Sequence, residues 1–261
     1  MELPQPSPLC TFTQRIGLTD VEIQYSRPGA KGRKVIGEVV PLDKMWRTGA
    51  NASTKVSFST EVKLDGHAVP AGKYALFTIP GEKEWTVMLS KHQGPFNQYK
   101  EENDQLRLKI KPEHLNDHVE TFRIEFRDMT DESGTLVLEW EKTRIPIKVT
   151  VDVKSVVIPE IDRAMASGET LPAIDYFRAA MFYLNHNLDV NRASEWVDKA
   201  MAQKSDFQWL LQHAKARVLA KKGDKAGAIA AANEGIAMAE KVEGPGGPFT
   251  RLNREIIASF K

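Results

Sequence analysis

The segment Val21–Asn51 reads VEIQYSRPGAKGRKVIGEVVPLDKMWRTGAN, and it sets the interpretation of the first half of the chain. Its first residues alternate apolar and polar side chains, as a half-buried β-strand does. The alternation ends at Pro28-Gly29, which is a turn signal. A loop rich in cations and glycine follows and closes on Trp46–Asn51. Binding residues concentrate on loops held by a rigid scaffold, so this loop is a candidate recognition site.

The same period of two continues through residues 11–154, in short segments separated by turn residues. Phe122 and Ile124, for example, stand among charged neighbours, and Asp65-Gly66 is a hairpin turn signal. Regular alternation of apolar and polar residues leaves one face of each sheet exposed to solvent, which favours antiparallel pairing. Many short strands at this spacing predict a β-sandwich or a partly closed barrel over residues 11–154.

The pattern changes at Pro159, and residues 159–261 have the helical period. The boundary is therefore expected within Ser155–Pro159, which makes the chain an α+β protein with its helices behind its strands. Glycine interrupts the helical pattern at several points, as expected where helices end. The predicted helices are Glu160–Ser167, Ala173–Leu184, Ala193–Ala202, Phe207–Lys222, Lys225–Glu240 and Phe249–Phe260.

The helical part also repeats itself. A shift of 35 residues aligns Ala179 with Ala214 and Asp189 with Asp224. This period resembles that of a tetratricopeptide repeat, with about two units and a final capping helix. The alternative is a plain bundle of helical hairpins. A repeat array of this kind presents a surface for a protein partner.

Composition excludes several classes of protein. The 261 residues carry a formal net charge of +1, so no overall charge draws the chain to nucleic acid. No apolar run approaches the ~20 residues that span a bilayer. One cysteine, Cys10, excludes an intramolecular disulfide framework. Residues 1–10, MELPQPSPLC, predict an extended Pro-rich arm and lack the pattern of a signal peptide. This composition does not decide whether Met1 is native or replaces a removed leader.

Several ordered motifs resemble a bacterial family known as domain of unknown function 2911, common in the Bacteroidetes, over roughly residues 5–153. The motifs are Tyr25–Pro28, Lys31–Arg33, Trp46–Asn51, Pro70–Pro80 and Glu84–Thr86. The resemblance implies an exported protein with helical repeats behind a β domain, and so a periplasmic or cell-surface location. It implies no settled activity and no catalytic residue.

The candidate ligand site is the cluster of cationic, aromatic and amide side chains in the 25–51 loop. Arginine binds carboxylates and phosphates at two points, and glycines bring backbone N–H groups close to the same anion. Tryptophan offers a flat face for a sugar. The alternative is that the arginines form structural ion pairs and that the tryptophan belongs to the core. The candidate residues are Tyr25, Arg27, Lys31, Arg33, Trp46, Arg47 and Asn51.

Other catalytic and metal signals are weak. His114 and His118 have the spacing of a helical metal site, but the segment is short and lacks the glutamate of the zinc-protease motif. Glu139 and Glu141 are interpreted as solvent-facing strand residues. No catalytic residue, metal or cofactor is therefore assigned.

Three functions remain open from the sequence. The first is a binding module for a small anionic or polyhydroxylated ligand at the basic loop. The second is an enzyme whose anionic substrate is held by the same Arg/Lys cluster, since anion clamps also stabilise transition states. The third is a protein–protein scaffold acting through the helices.

Overall fold

The computed structural model describes residues 3–260. The chain divides into two compact units, and the division falls between Val156 and Val157. Met1 and Glu2 of the expected Pro-rich arm lie outside the described residues, and the first strand already begins at Leu9. Within the described residues, no helix is both long and apolar enough to cross a bilayer.

The first unit is built from antiparallel strands, which confirms the predicted β-rich half of an α+β protein. One sheet has the order β1-β2-β3-β6-β7-β8, and the other has the order β5-β4-β10-β9. The strands of the described chain are β1 (Leu9–Ile16), β2 (Thr19–Ser26), β3 (Thr54–Phe58), β4 (Val62–Leu64), β5 (His67–Val69), β6 (Gly72–Ile79), β7 (Trp85–Ser90), β8 (Asp104–Ile110), β9 (Glu113–Arg127) and β10 (Ser133–Thr150). Two single-turn 3₁₀ helices, Phe96–Gln98 and Glu101–Asn103, lie between β7 and β8.

The Asp65-Gly66 turn forms the hairpin that its sequence predicts. Leu64 pairs with His67 on either side of it. Both turn residues have positive φ, 44° at Asp65 and 83° at Gly66. A two-residue turn of this kind matches the right-handed twist of the strands, which explains the preference for glycine there.

A short continuation of β2 joins the two sheets. Gly29 forms an isolated antiparallel bridge with Thr121 of β9. The N–H of Ala30 donates to the carbonyl of Glu120 at 2.8 Å, and the N–H of Phe122 donates to the carbonyl of Pro28 at 2.9 Å. The chain therefore passes from β2, an inner strand of one sheet, to β9 at the edge of the other, which partly closes the sandwich.

Aromatic side chains fill the space beneath this junction. Trp46 lies with its ring centroid 5.0 Å from that of Phe122 and 5.7 Å from that of Trp140. Tyr25 meets the edge of Phe122 at 5.7 Å. Large rings bury much apolar area and pack in such edge-to-face and offset arrangements. This aromatic cluster fixes the base of the long loop.

The helices of the described chain are α1 (Val153–Met165), α2 (Ala173–Asn185), α3 (Val190–Met201), α4 (Gln208–Lys221), α5 (Lys225–Glu243) and α6 (Pro248–Ala258). Five of them match the predicted helices to within a few residues. The first begins earlier than predicted, because the side chain of Asp152 accepts from the N–H of Ser155 at 3.0 Å and so caps a helix that contains Pro159.

The second unit has an apolar core and a buried polar cluster. Its core comes from α2, α3 and α4. The polar cluster lies where α4 and α6 meet α5, and there Nδ1 of His213 is 2.9 Å from Oδ1 of Asn253. A Cβ atom on Gly235 of α5 would lie 2.6 Å from Nδ2 of Asn253, so a larger residue there would displace the Asn253 amide. Burial lowers the pKa of His213, although the hydrogen bond to Asn253 opposes this effect.

Candidate functional site

Tyr25 and Arg27 face the edge of β9 rather than a cavity. The hydroxyl of Tyr25 accepts from the N–H of Ile124 at 2.9 Å and lies 3.3 Å from the Ile124 carbonyl, to which it donates. Nε of Arg27 donates to the carbonyl of Phe122 at 3.3 Å. Tyr25 is 3% exposed, and its burial raises the pKa of the hydroxyl. These two side chains complete the hydrogen bonds of a strand edge.

Lys31 and Arg33 lie on the exposed turn that follows. The backbone N–H of Lys31 donates to Oε1 of Glu120 at 2.7 Å. The guanidinium of Arg33 donates to two carbonyls of its own loop, those of Ala30 at 3.0 Å and Gly29 at 2.9 Å. These two hydrogen bonds of Arg33 hold the turn together. The hydrogen bond from the N–H of Lys31 is also the main cause of the lowered pKa of Glu120.

Trp46 belongs to the aromatic cluster between the sheets. Its backbone pairs with Thr78 through N–H to carbonyl bonds of 2.7 Å and 3.0 Å. Its Nε1 donates to the carbonyl of Gly49 at 3.0 Å. The indole thus fixes the turn that carries the next residues of the loop, and its ring packs against Phe122 and Trp140.

Arg47 and Asn51 are the two predicted residues that border a cleft. The cleft has a volume of about 530 Å³. Nη1 of Arg47 donates to the carbonyl of Asn51 at 2.7 Å, and its guanidinium carbon lies 5.1 Å from the ring centroid of Phe96. Nδ2 of Asn51 donates to the Ser7 carbonyl at 3.2 Å. The guanidinium is held on both sides and keeps further N–H groups for other contacts.

The cleft is lined by two cations and by neutral groups. Neither Arg47 nor Lys55 forms an ion pair with another described residue. None of the described residues that line the cleft is acidic. The full lining is Arg47, Asn51, Ala52, Ser53, Lys55, Gln93, Gly94, Pro95, Phe96 and Asn97. Such a lining favours an anion, because its cations are not already neutralised.

Ser53 adds an unused polar group to the wall. Its Oγ is buried and has no hydrogen-bond partner among the described residues. A buried hydroxyl without a partner costs about 1–3 kcal/mol, so few are retained without a reason. Ser53 and Lys55 alternate with buried residues of β3 and point to the same face of the sheet.

A second, smaller hollow of about 240 Å³ adjoins the cleft. The two share Lys55 and Gln93. The remaining lining of the hollow is Glu22, Gln24, Val56, Ser57 and Lys73. The sequence analysis missed Lys55 and Lys73, since each reads as an ordinary polar residue of an alternating strand. Lys55 and Lys73 become neighbours only because β2, β3 and β6 pair, with Glu22 opposite Ser57 and Ser57 opposite Lys73.

The interpretation of Glu139 as a solvent-facing residue of β10 is wrong, because its side chain is fully buried. Its Oε2 lies 2.5 Å from Nη2 of Arg123 and 3.2 Å from Nη2 of Arg127, and its Oε1 lies 2.5 Å from Nε of Arg144. Burial acts to raise the pKa of Glu139, but hydrogen bonds from Arg144 and Arg123 and the nearby positive charges hold it below its usual range.

The histidine pair has no helical geometry. His114 and His118 lie in β9, where four residues extend about 13 Å along the strand. This spacing is too long for both imidazoles to bind one ion. Among the described residues, no group of three or more His, Cys, Asp or Glu side chains is arranged to hold a metal.

Comparison with known proteins yields one match. The family model described as "Protein of unknown function (DUF2911)" matches residues 7–149, which is more than half of the chain. Searches of curated proteins and of solved structures give no match.

Proposed function

Since the chain belongs to the DUF2911 family of proteins of unknown function, we propose that its β unit binds a small anionic or polyhydroxylated ligand in the cleft beside Arg47. The observation that carries this proposal is the presence of two cations, Arg47 and Lys55, that form no ion pair with a described residue, in a cleft whose described lining contains no carboxylate.

Arg47 is preorganised for this role. The Asn51 carbonyl and the ring of Phe96 hold its guanidinium before any ligand arrives. A held side chain loses less conformational freedom on binding, so more of the interaction energy appears as affinity. Its planar fork suits a carboxylate or a phosphate, and Lys55 adds a second charge from the sheet.

The lining supports binding rather than catalysis. A general acid or base must lie within hydrogen-bond reach of the reacting group, and histidine, aspartate and glutamate are the usual choices. The described residues that line the cleft include none of these three. The proposed site thus keeps Arg47 and Asn51 from the sequence prediction, while Tyr25, Arg27 and Trp46 support the scaffold around it.

The test is a thermal-shift titration with inorganic phosphate, glucuronate and glucose. At least one anion is expected to raise the melting temperature of the protein, because a ligand that binds the folded state stabilises it by RT ln(1 + [L]/Kd). The variants Arg47→Gln and Lys55→Gln are expected to lose this shift. Lys83→Gln, at an exposed lysine that does not line the cleft, is the matched control.

Two results would overturn the proposal. One is a melting temperature that none of the three compounds changes at millimolar concentration. The other is a shift of equal size in the wild type and in Arg47→Gln. Glucose separates a general preference for hydroxyl groups from recognition of the anion.

A further inference from the structure

We infer that the ligand is a short saccharide with a single anionic group, bound across both the cleft and the adjoining hollow. This inference rests on the proposed function of the cleft. It adds the second hollow, lined by Glu22, Gln24, Ser57 and Lys73, as the position of a neutral sugar ring.

The two hollows adjoin along β3 and together make up the groove. They share Lys55 and Gln93, so a ligand that lies across these two side chains contacts both hollows. Ser53, Lys55 and Ser57 alternate with the buried residues of the strand and lie on one face. The distance from Ser53 to Ser57 along a strand is about 13 Å, which suits two linked sugar rings better than one.

The charges along the groove change from one end to the other. The cleft end has Arg47 and Lys55 and no lining carboxylate among the described residues. At the far end, Glu22 and Lys73 lie on the two strands that flank Ser57, and the shared Lys55 adds a further positive charge. The carboxylate of Glu22 is what distinguishes this end from the cleft. An anionic group is therefore favoured at the cleft, and a second anion would meet Glu22 at the far end.

The far hollow also has the side chains that recognise hydroxyl groups. Carboxylate, amide, hydroxyl and ammonium groups surround it, and Val56 is its one apolar lining residue among the described residues. A peptide side chain of apolar type would find little surface to bury there. The hydroxyl groups of a sugar both donate and accept, so they match this mixture of donors and acceptors.

The test compares dissociation constants by calorimetry for glucuronate, cellobiouronate, trehalose 6-phosphate, cellobiose and digalacturonate. Cellobiouronate and trehalose 6-phosphate each carry a single anionic group, a carboxylate and a phosphate ester. One of these two disaccharides is expected to bind at least tenfold more tightly than glucuronate. Digalacturonate is expected to gain nothing over glucuronate in the wild type. Glu22→Gln, which removes the opposing charge, is expected to tighten digalacturonate several-fold.

Variants of the far hollow complete the design. Gln24→Ala and Lys73→Gln are expected to weaken the disaccharide several-fold and to leave glucuronate unchanged. An unaltered melting temperature without ligand shows that each variant folds. If glucuronate binds but neither of these two disaccharides binds more tightly, the inference is wrong and the proposed function stands. If none of the five compounds binds, the inference is wrong, and the titration with inorganic phosphate and glucose decides the proposed function.

Discussion

Oε1 of Glu139 accepts a hydrogen bond from Nε of Arg144 at 2.5 Å. Arg123 and Arg127 bind the other carboxylate oxygen, and the carboxylate is fully buried beneath the three guanidinium groups. Removal of one partner from a buried ion pair is costly, because the remaining charge loses its compensation.

The variant Glu139→Gln is therefore expected to lose about 3 kcal/mol of unfolding free energy, measured by urea titration. Glu125→Gln is the matched control in the same arginine cluster. Its carboxylate is 37% exposed, so its ion pairs with Arg123 and Arg127 are screened by water, and the loss is expected to stay below about 1 kcal/mol. Equal losses in the two variants would show that burial of Glu139 has no special role.

The contribution of Glu139 should also depend on pH. Its folded pKa is lowered, so its stabilisation is present above the unfolded pKa of about 4.3 and is lost as the pH falls through the folded pKa. The difference in melting temperature between the wild type and Glu139→Gln is expected to be constant from pH 7 to pH 5 and to shrink below about pH 4. A constant difference down to pH 3 would contradict this prediction.

His213 is expected to give a second pH dependence, at a higher pH than that of Glu139. Here the protonated form is the charged one. Burial lowers its folded pKa, so the unfolded chain takes up the proton first. Its stabilisation is present above the unfolded pKa of about 6.5 and is lost as the pH falls below it. The melting temperature of the wild type should fall between pH 7.5 and pH 5.5, and this fall should be smaller in His213→Gln. His67→Gln, at an exposed imidazole outside the buried polar cluster, serves as the control.

Tyr25→Phe tests the strand edge. The variant leaves the N–H and the carbonyl of Ile124 without their side-chain partner, so a loss of about 1–3 kcal/mol is expected. Tyr74→Phe is the matched control, because that hydroxyl donates one bond, to the Pro70 carbonyl, and the loss should be smaller. The affinity for ligands of the cleft should not change in Tyr25→Phe, since Tyr25 does not line it. If Tyr25→Phe binds ligands of the cleft more weakly and unfolds with unchanged free energy, Tyr25 is a binding residue and this prediction is wrong.

Two glycine turns should differ in their tolerance of alanine. Gly17 and Gly66 both have positive φ, 55° and 83°. A Cβ on Gly66 meets nothing within 4 Å, but one on Gly17 would lie 2.5 Å from Cγ2 of Val153 and 2.9 Å from the Asp131 carbonyl oxygen. Gly66→Ala is expected to cost about 1–2 kcal/mol from backbone strain alone, and Gly17→Ala more. Denaturant midpoints measure both, and equal losses would contradict the clash at Gly17.

The sequence predicts local structure here better than the environment of each side chain. Alternation and glycine signals predict the Asp65-Gly66 hairpin and most helices, because both depend on nearby residues. Alternation also places Glu139 away from the core face, but it does not reveal that arginine side chains cover that face. Tyr25 and Arg27 look like binding residues because they are polar. Their partners, Ile124 and Phe122, are about a hundred positions away in the chain.

Only those residues of the candidate site that are close in sequence could be predicted. Arg47 and Asn51 stand close together in the loop, and the sequence identifies both. Lys55, Lys73 and Gln93 join them only when β2, β3 and β6 pair and when the segment after β7 folds back. Their recognition depends on contacts between distant parts of the chain, which one sequence does not display. The quoted motifs do identify the family, and the match over residues 7–149 confirms that prediction.

The junction between the sheets has a consequence for crowded solutions. Outward-facing backbone groups of Glu120, Phe122 and Ile124 are occupied by Ala30, Pro28, Arg27 and Tyr25. An open border of this kind is where a second molecule adds its own strand and starts a growing fibril. Because residues of the same chain already bond these backbone groups, a strand of a second molecule cannot pair with this stretch of β9. The protein is therefore protected against self-association there.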